Sequence, residues 1–275
     1  MFKIAEKMRR LSFRAILYPV MVFLLVFAGP ASADTYLPYG LDYGVGWFDA
    51  NKTYGNPEDD LMCWAAAASN ILAWGGWGTA VYSNEDLIWQ NFQYHWTDEG
   101  GIMAFGWQWW FDGTNPAQGE SGWSQINVPG GGNHYSYFDF GDYYHQTSEK
   151  PSALSAIDAY LHAGYGVTIG IYTATGGGHA LTIWGYEYAD SDPGTYTGLI
   201  FSDSDDYKSA DGSKKDLWLT ALNYSSDRWY LGGSAWYIGE VEALERNPAP
   251  EPLTILLFGS GLVFIAGWRR KTARG

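Results

Sequence analysis

The sequence predicts an α+β fold in which a helical half precedes an antiparallel sheet half. Apolar residues recur at helical spacing through Cys63–Leu72 and Asn84–Trp96. Closely spaced strand-like runs fill the chain from Gly166 to Leu244, which favours antiparallel pairing. The 15 Trp, 21 Tyr and 35 Gly among 275 residues point to a sheet-rich body with large aromatic loops.

Taken in order, residues 1–33 read as a secretory signal. Lys3, Lys7, Arg9, Arg10 and Arg14 precede an apolar run from Ala15 to Ala28, and Ala31-Ser32-Ala33 offers a small-residue cleavage site before Asp34. The run is short for a membrane span, which weighs against a retained anchor. Residues 34–246 form the working domain. Residues 34–62 look irregular, punctuated by Gly44, Gly46, Gly55 and Pro57. The first helix starts at or near Cys63, with Asp59 or Asp60 placed to cap it, and stops near Gly75-Gly76. A second helix over Asn84–Trp96 puts Leu87, Ile88, Asn91 and Phe92 on one side. The segment Gly100–His145 is rich in glycine and aromatics and shows no assignable period, so it reads as a long loop packed on its own rings. Pro151–His162 is a helix with proline in its first turn and a stop at Gly164. Strands follow at Gly166–Tyr172, Ala180–Tyr188, Leu199–Ser202, Leu217–Leu222, Trp229–Leu231 and Ala235–Leu244.

Residues 247–275 form a linker and a tail. Pro250-Glu251-Pro252 is followed by an apolar run from Leu253 to Trp268, then Arg269-Arg270-Lys271 and Arg274. Physically this is a short transmembrane helix over residues 253–268 with a basic stop. It also resembles the PEP-CTERM sorting signal of Gram-negative bacteria. That resemblance implies recognition by an exosortase-type transpeptidase, export to the cell envelope or beyond, and transient anchoring in the membrane.

Residues 1–33 and 253–275 hold nine of the 16 Lys and Arg but one of the 30 Asp and Glu, leaving 7 basic and 29 acidic residues between them. Such a body repels nucleic acid and anionic lipid, so neither is expected as a partner. One cysteine excludes an internal disulfide and asks why an exported chain keeps a free thiol.

Cys63 at a helix N-terminus answers that question if it is a nucleophile, because the positive end of the helix dipole favours a thiolate there. The bland alternative is a small buried hydrophobe. Thiolate catalysis needs a base and a group to orient it. His179 is the best-placed base: it follows Gly176-Gly177-Gly178 and opens the apolar strand Ala180–Trp184. His95, His134, His145 and His162 read as surface histidines. The next strand ends in Ser202-Asp203-Ser204-Asp205-Asp206, where Asp203 can reach the His179 ring if the two strands pair; a turn or a calcium loop is the competing reading.

Cys63-Trp64 on an alanine-rich helix with a later Gly-His-Ala strand resembles the papain-like clan, and four segments are similar to Mac/IdeS-type cysteine peptidases. They are Trp47–Tyr54, Asp59–Leu72, Gly178–Tyr186 and Ser202–Asp205. The resemblance implies a papain-like fold with the nucleophile-bearing helical half packed on the sheet half. It implies Cys63 as nucleophile, His179 as base, Asp203 as its orienter, Asp205 as a supporting carboxylate and Lys52 as an oxyanion donor. It further implies peptide-bond hydrolysis of a protein or peptide substrate without metal or organic cofactor. Residues 76–150 match poorly, so immunoglobulin specificity does not carry over. Two alternatives stay open: an amidase or transglutaminase on the same fold, and a non-catalytic matrix protein whose tryptophans stack on polysaccharide.

Overall fold

The computed structural model describes residues 33–38, 41–42, 45–52, 59–189, 192–205 and 217–248. Its elements are β1 (Ala33–Tyr36), α1 (Cys63–Trp74), α2 (Glu85–His95), α3 (Met103–Asp112), β2 (Tyr144–Thr147), α4 (Ala153–His162), β3 (Gly166–Tyr172), β4 (Gly178–Ala189), β5 (Asp192–Ser202), β6 (Trp218–Ser225), β7 (Arg228–Leu231) and β8 (Tyr237–Leu244). Short 3₁₀ turns at Phe140–Asp142 and Lys150–Ser152 precede β2 and α4.

The papain-like arrangement expected from the sequence is not the one adopted. The strands run β4-β3-β8-β7-β6-β5, and β5 pairs back onto β4, so six antiparallel strands close into a barrel. β1 and β2 are additions on the outside of that circuit: β1 continues along β4, and β2 along β8. The helices, four of them short α-helices among the described residues, decorate a closed wall instead of forming an opposing half. Closure follows from the length and irregularity of the two longest strands. The β4–β5 register slips between Ile183 and Gly185, between Glu187 and Tyr188, and between Tyr188 and Ala189, and β3–β8 slips at Gly170/Ile171. Each slip adds twist and bends the wall until its edges meet.

Alternation along the strands gives the wall two apolar faces. Val167, Ile169 and Ile171 of β3, Leu181 and Ile183 of β4, and Val241 and Ala243 of β8 share one core with Leu154, Ile157 and Leu161 of α4. The intervening Ala180 and Trp184 face the other way and join α1, α2 and α3 in a second core. α1 is buried from Trp64 through Leu72, apolar all round because β3 and β4 cover one side and α2 and α3 the others. Its alanines let the helix lie close to the wall.

The helix boundaries follow the sequence closely. α1 ends at Trp74 with Gly75 as its C-cap, and Asn84 caps α2 by accepting from Leu87 N–H at 2.9 Å. Three elements were not anticipated. α3 lies inside the segment read as loop, and β1 and β2 lie in segments given no strand. The expected signal (all but Ala33) and the apolar tail fall outside the described residues, and among the described residues no helix is long and apolar enough to cross a membrane.

Candidate active site

Cys63 is the first residue of α1 and is partly buried. Neither Asp59 nor Asp60 caps that helix end as expected; Met62 stands at the N-cap and no side chain there bonds the first turn. Asp59 is buried instead, with its carboxylate accepting from Gln93 Nε2, and its carbonyl accepts from Met62 N–H at 3.0 Å. This loop anchors the entry to α1, while the first-turn N–H groups beside Cys63 carry no side-chain cap.

His179 lies on β4 just past the β3–β4 turn, where Gly176 and Gly177 take φ of +91° and +101°, a conformation glycine adopts without strain. The ring is four-fifths buried, and Nε2 sits 2.8 Å from Asp203 Oδ1. Its other interacting side chain is Cys63, which leaves Nδ1 as the nitrogen for the sulfur. Burial pulls the His179 pKa down, but the hydrogen bonds with Asp203 and Cys63 and their negative charge outweigh it and lift the pKa to about 10. The ring is therefore held as imidazolium between an acid and a sulfur.

Asp203 follows the end of β5, which pairs directly with β4 through Thr182↔Ser202. The same Oδ1 that meets His179 accepts from Asp205 N–H at 3.1 Å, so one loop fixes both aspartates. Asp205 turns to Lys52, whose fully buried Nζ donates to Asp205 Oδ1. Lys52 is thus occupied by a carboxylate, and Asp205, not Lys52, lines the cleft. Among the described residues no group of three or more His, Cys, Asp and Glu is gathered as for a metal, and Asp206 of the imagined calcium loop lies outside them.

Asn70, one helical face along from Cys63, is the residue whose role the sequence reading missed. It is fully buried; its Oδ1 accepts from Ala50 N–H at 2.7 Å, and its Nδ2 donates to Thr182 Oγ1 at 3.0 Å and Ser204 Oγ at 3.1 Å. Ser204 Oγ in turn donates to Asp49 at 2.9 Å. One amide therefore ties the Cys63 helix to the His179 strand, the Asp203 loop and the segment carrying Lys52. An asparagine in an otherwise alanine-rich apolar helix was the signal available for it.

A cleft of about 460 Å³ opens beside Cys63, lined by His179, Asp205, Leu61, Met103, Tyr172 and Glu240 among others. Tyr172 donates to Glu240 Oε2 at 3.3 Å. Burial raises the Glu240 pKa, partly offset by that hydrogen bond. Glu242, two residues on, is fully buried; burial and the charge of Glu240 hold its pKa well above the usual range despite the Ala104 N–H at 2.8 Å.

The remaining histidines divide. His95 is buried, correcting its reading as a surface residue, with Nδ1 2.7 Å from Val128 O. His145 pairs with Glu245 at 2.8 Å, and His162 stacks on Tyr36 with ring centroids 4.1 Å apart. Trp107, Trp109 and Trp110 of α3 are at most 1% exposed, so their faces are spent in the core and not offered to a polysaccharide.

A match to the PEP-CTERM protein-sorting motif covers residues 248–271. It implies recognition of the C-terminus by an exosortase and marks an exported protein sorted to the cell envelope or extracellular space. No curated protein matches the chain, and nothing found supports a Mac/IdeS-type assignment.

Proposed function

We propose that this chain is an exported cysteine hydrolase that cleaves peptide bonds through Cys63, His179 and Asp203. The observation that carries the reading is the His179 ring, placed 2.8 Å from Asp203 and against Cys63, with the sulfur lining an open cleft. In this reading the Cys63 proton resides on His179, and the sulfur attacks the substrate carbonyl carbon. The developing oxyanion meets the backbone N–H of Cys63 at the uncapped start of α1. His179 then gives its proton to the leaving nitrogen, and a water, deprotonated by the same ring, hydrolyses the thioester. Asp203 holds the ring's orientation and balances its charge throughout. Asp205 keeps Asp203 in place through its backbone N–H, and Lys52 keeps Asp205 in place, a positioning role in place of oxyanion donation. An amidase or transglutaminase would share each step and differ only in leaving group or acyl acceptor.

The test is a cleavage-site profile of the purified chain on a denatured proteome, beside Cys63→Ala. New termini that appear with the wild type and vanish in the variant support the reading. Identical profiles would remove it. Before processing, the apolar run of residues 253–268 would hold the enzyme at the membrane with its cleft on the exported side.

A further inference from the structure

Glu240 projects into the cleft from β8, directly across from Gly170 of β3 in the strand register. Gly170 puts no side chain over it; a Cβ there would lie 2.9 Å from the Tyr172 hydroxyl, so the floor stays open at this point. The carboxylate has one partner, the Tyr172 hydroxyl, and no Lys, Arg or His pairs with it among the described residues. Cys63, Tyr172 and Glu240 line the same cleft, so the carboxylate and the sulfur face one space. The cleft lining contains no lysine or arginine, and Leu61, Met103 and Tyr172 add apolar surface to it. Behind Glu240 on the same face of β8, Glu242 is fully buried and its Oε1 has no hydrogen-bond partner among the described residues. A half-buried carboxylate with no paired countercharge, in a cleft that also offers apolar surface, suits a cation on an aliphatic stem.

We propose that Glu240 is a specificity-determining residue that selects substrates carrying a cationic side chain, lysine or arginine, at the position next to the scissile bond. The inference rests on the cysteine-hydrolase reading above. The guanidinium or ammonium group supplies the charge that the Glu240 carboxylate lacks, while the stem lies against Leu61, Met103 and Tyr172. Removing the substrate's charge without changing its shape leaves the carboxylate unpaired, the more costly half of such a contact.

The test uses the full chain and three peptidyl acyloxymethyl ketones that alkylate a catalytic thiol, identical except for arginine, citrulline or norleucine beside the reactive carbon. The rate of Cys63 modification is read by intact mass. The arginine probe should react about 30-fold faster than citrulline, the low end for loss of one partner of a hydrogen-bonded charge pair. Glu240→Gln should collapse that ratio to near unity. Equal rates for arginine and citrulline in the wild type overturn the inference but leave the cysteine-hydrolase reading standing. The wild-type comparison holds even if the variant folds poorly. If none of the probes modifies Cys63 while iodoacetamide does, both the inference and the reading beneath it fall.

Discussion

Replacing Asp203 by asparagine isolates the charge that holds His179 protonated. The amide oxygen of the asparagine side chain can still accept from the ring and from Asp205 N–H, since both bonds go to a single oxygen at 2.8 and 3.1 Å. What disappears is the negative charge. Burial, the largest influence on the ring, already works against the imidazolium, so without the Asp203 carboxylate only Cys63 opposes it. The His179 pKa of about 10 should then fall by about two units or more. At pH 9, a ring titrating near 10 is charged in about nine molecules in ten, and one titrating near 8 in about one in ten. Because the folded-state value lies above the ordinary 6.5, this charge stabilises the fold fully below pH 6.5 and ceases to as pH rises through 10. The variant should lose that alkaline sensitivity above about pH 8, while the proposed hydrolysis falls by about 1000-fold or more. Ring ¹⁵N–¹H NMR from pH 5 to 11 reads the titration directly, with only five histidines to separate and His179→Gln to assign the signal. A wild-type midpoint near 6.5, or a variant midpoint unmoved from the wild type's, would refute the charge assignment.

Asn70→Ala should cost about 3 kcal/mol in urea unfolding, three buried hydrogen bonds at roughly 1 kcal/mol each, and should also slow the proposed hydrolysis by loosening α1 from β4 and the aspartate loop. A loss under about 1 kcal/mol would mean that the network is not what holds these elements together. Glu242→Gln tests the buried carboxyl on β8. Its folded-state pKa lies well above the usual 4.5, so the wild type gains stability below pH 4.5 and loses it as pH rises through the raised value. The variant, neutral throughout, should therefore melt at a higher temperature than the wild type at pH 8 but not at pH 4; a lower melting temperature at pH 8 would contradict the sign.

The helices and most strands were legible because each rests on a local pattern. The Asn84 cap, the proline and glycine around α4, and the apolar alternation in β3 and β4 all operate within a turn or a few residues. α3 escaped because Met103–Asp112 is apolar on all but a narrow strip holding Gln108 and Asp112, too little polar spacing to mark a helical period. Barrel closure escaped for a different reason. It depends on slips in register within β4–β5 and on the meeting of β7 with β8, and neither leaves a periodic trace. Within the candidate site, the residues at motif positions could be named, while Asn70, Tyr172 and Glu240 gain meaning only from partners far along the chain. Lys52 shows the converse: its position was legible but its partner was not, and Asp205 changes what its charge does.

The meeting of β7 with β8 has its own mechanical consequence. β8 is stitched to β3 from Leu244 to Tyr237, yet to β7 through the single pair Tyr230↔Tyr237 and the Leu231 N–H to Trp236 carbonyl bond of 3.0 Å. The barrel thus behaves as a ribbon with a clasp, and the clasp is where breathing begins. When it parts, β6 and β7 swing with β5, while Glu240 stays with β3 on the cleft wall. Amide exchange should therefore run fastest at Tyr230 and Leu231 and slowest along β3, so that the barrel can open at its seam without disturbing the floor on which a substrate would lie.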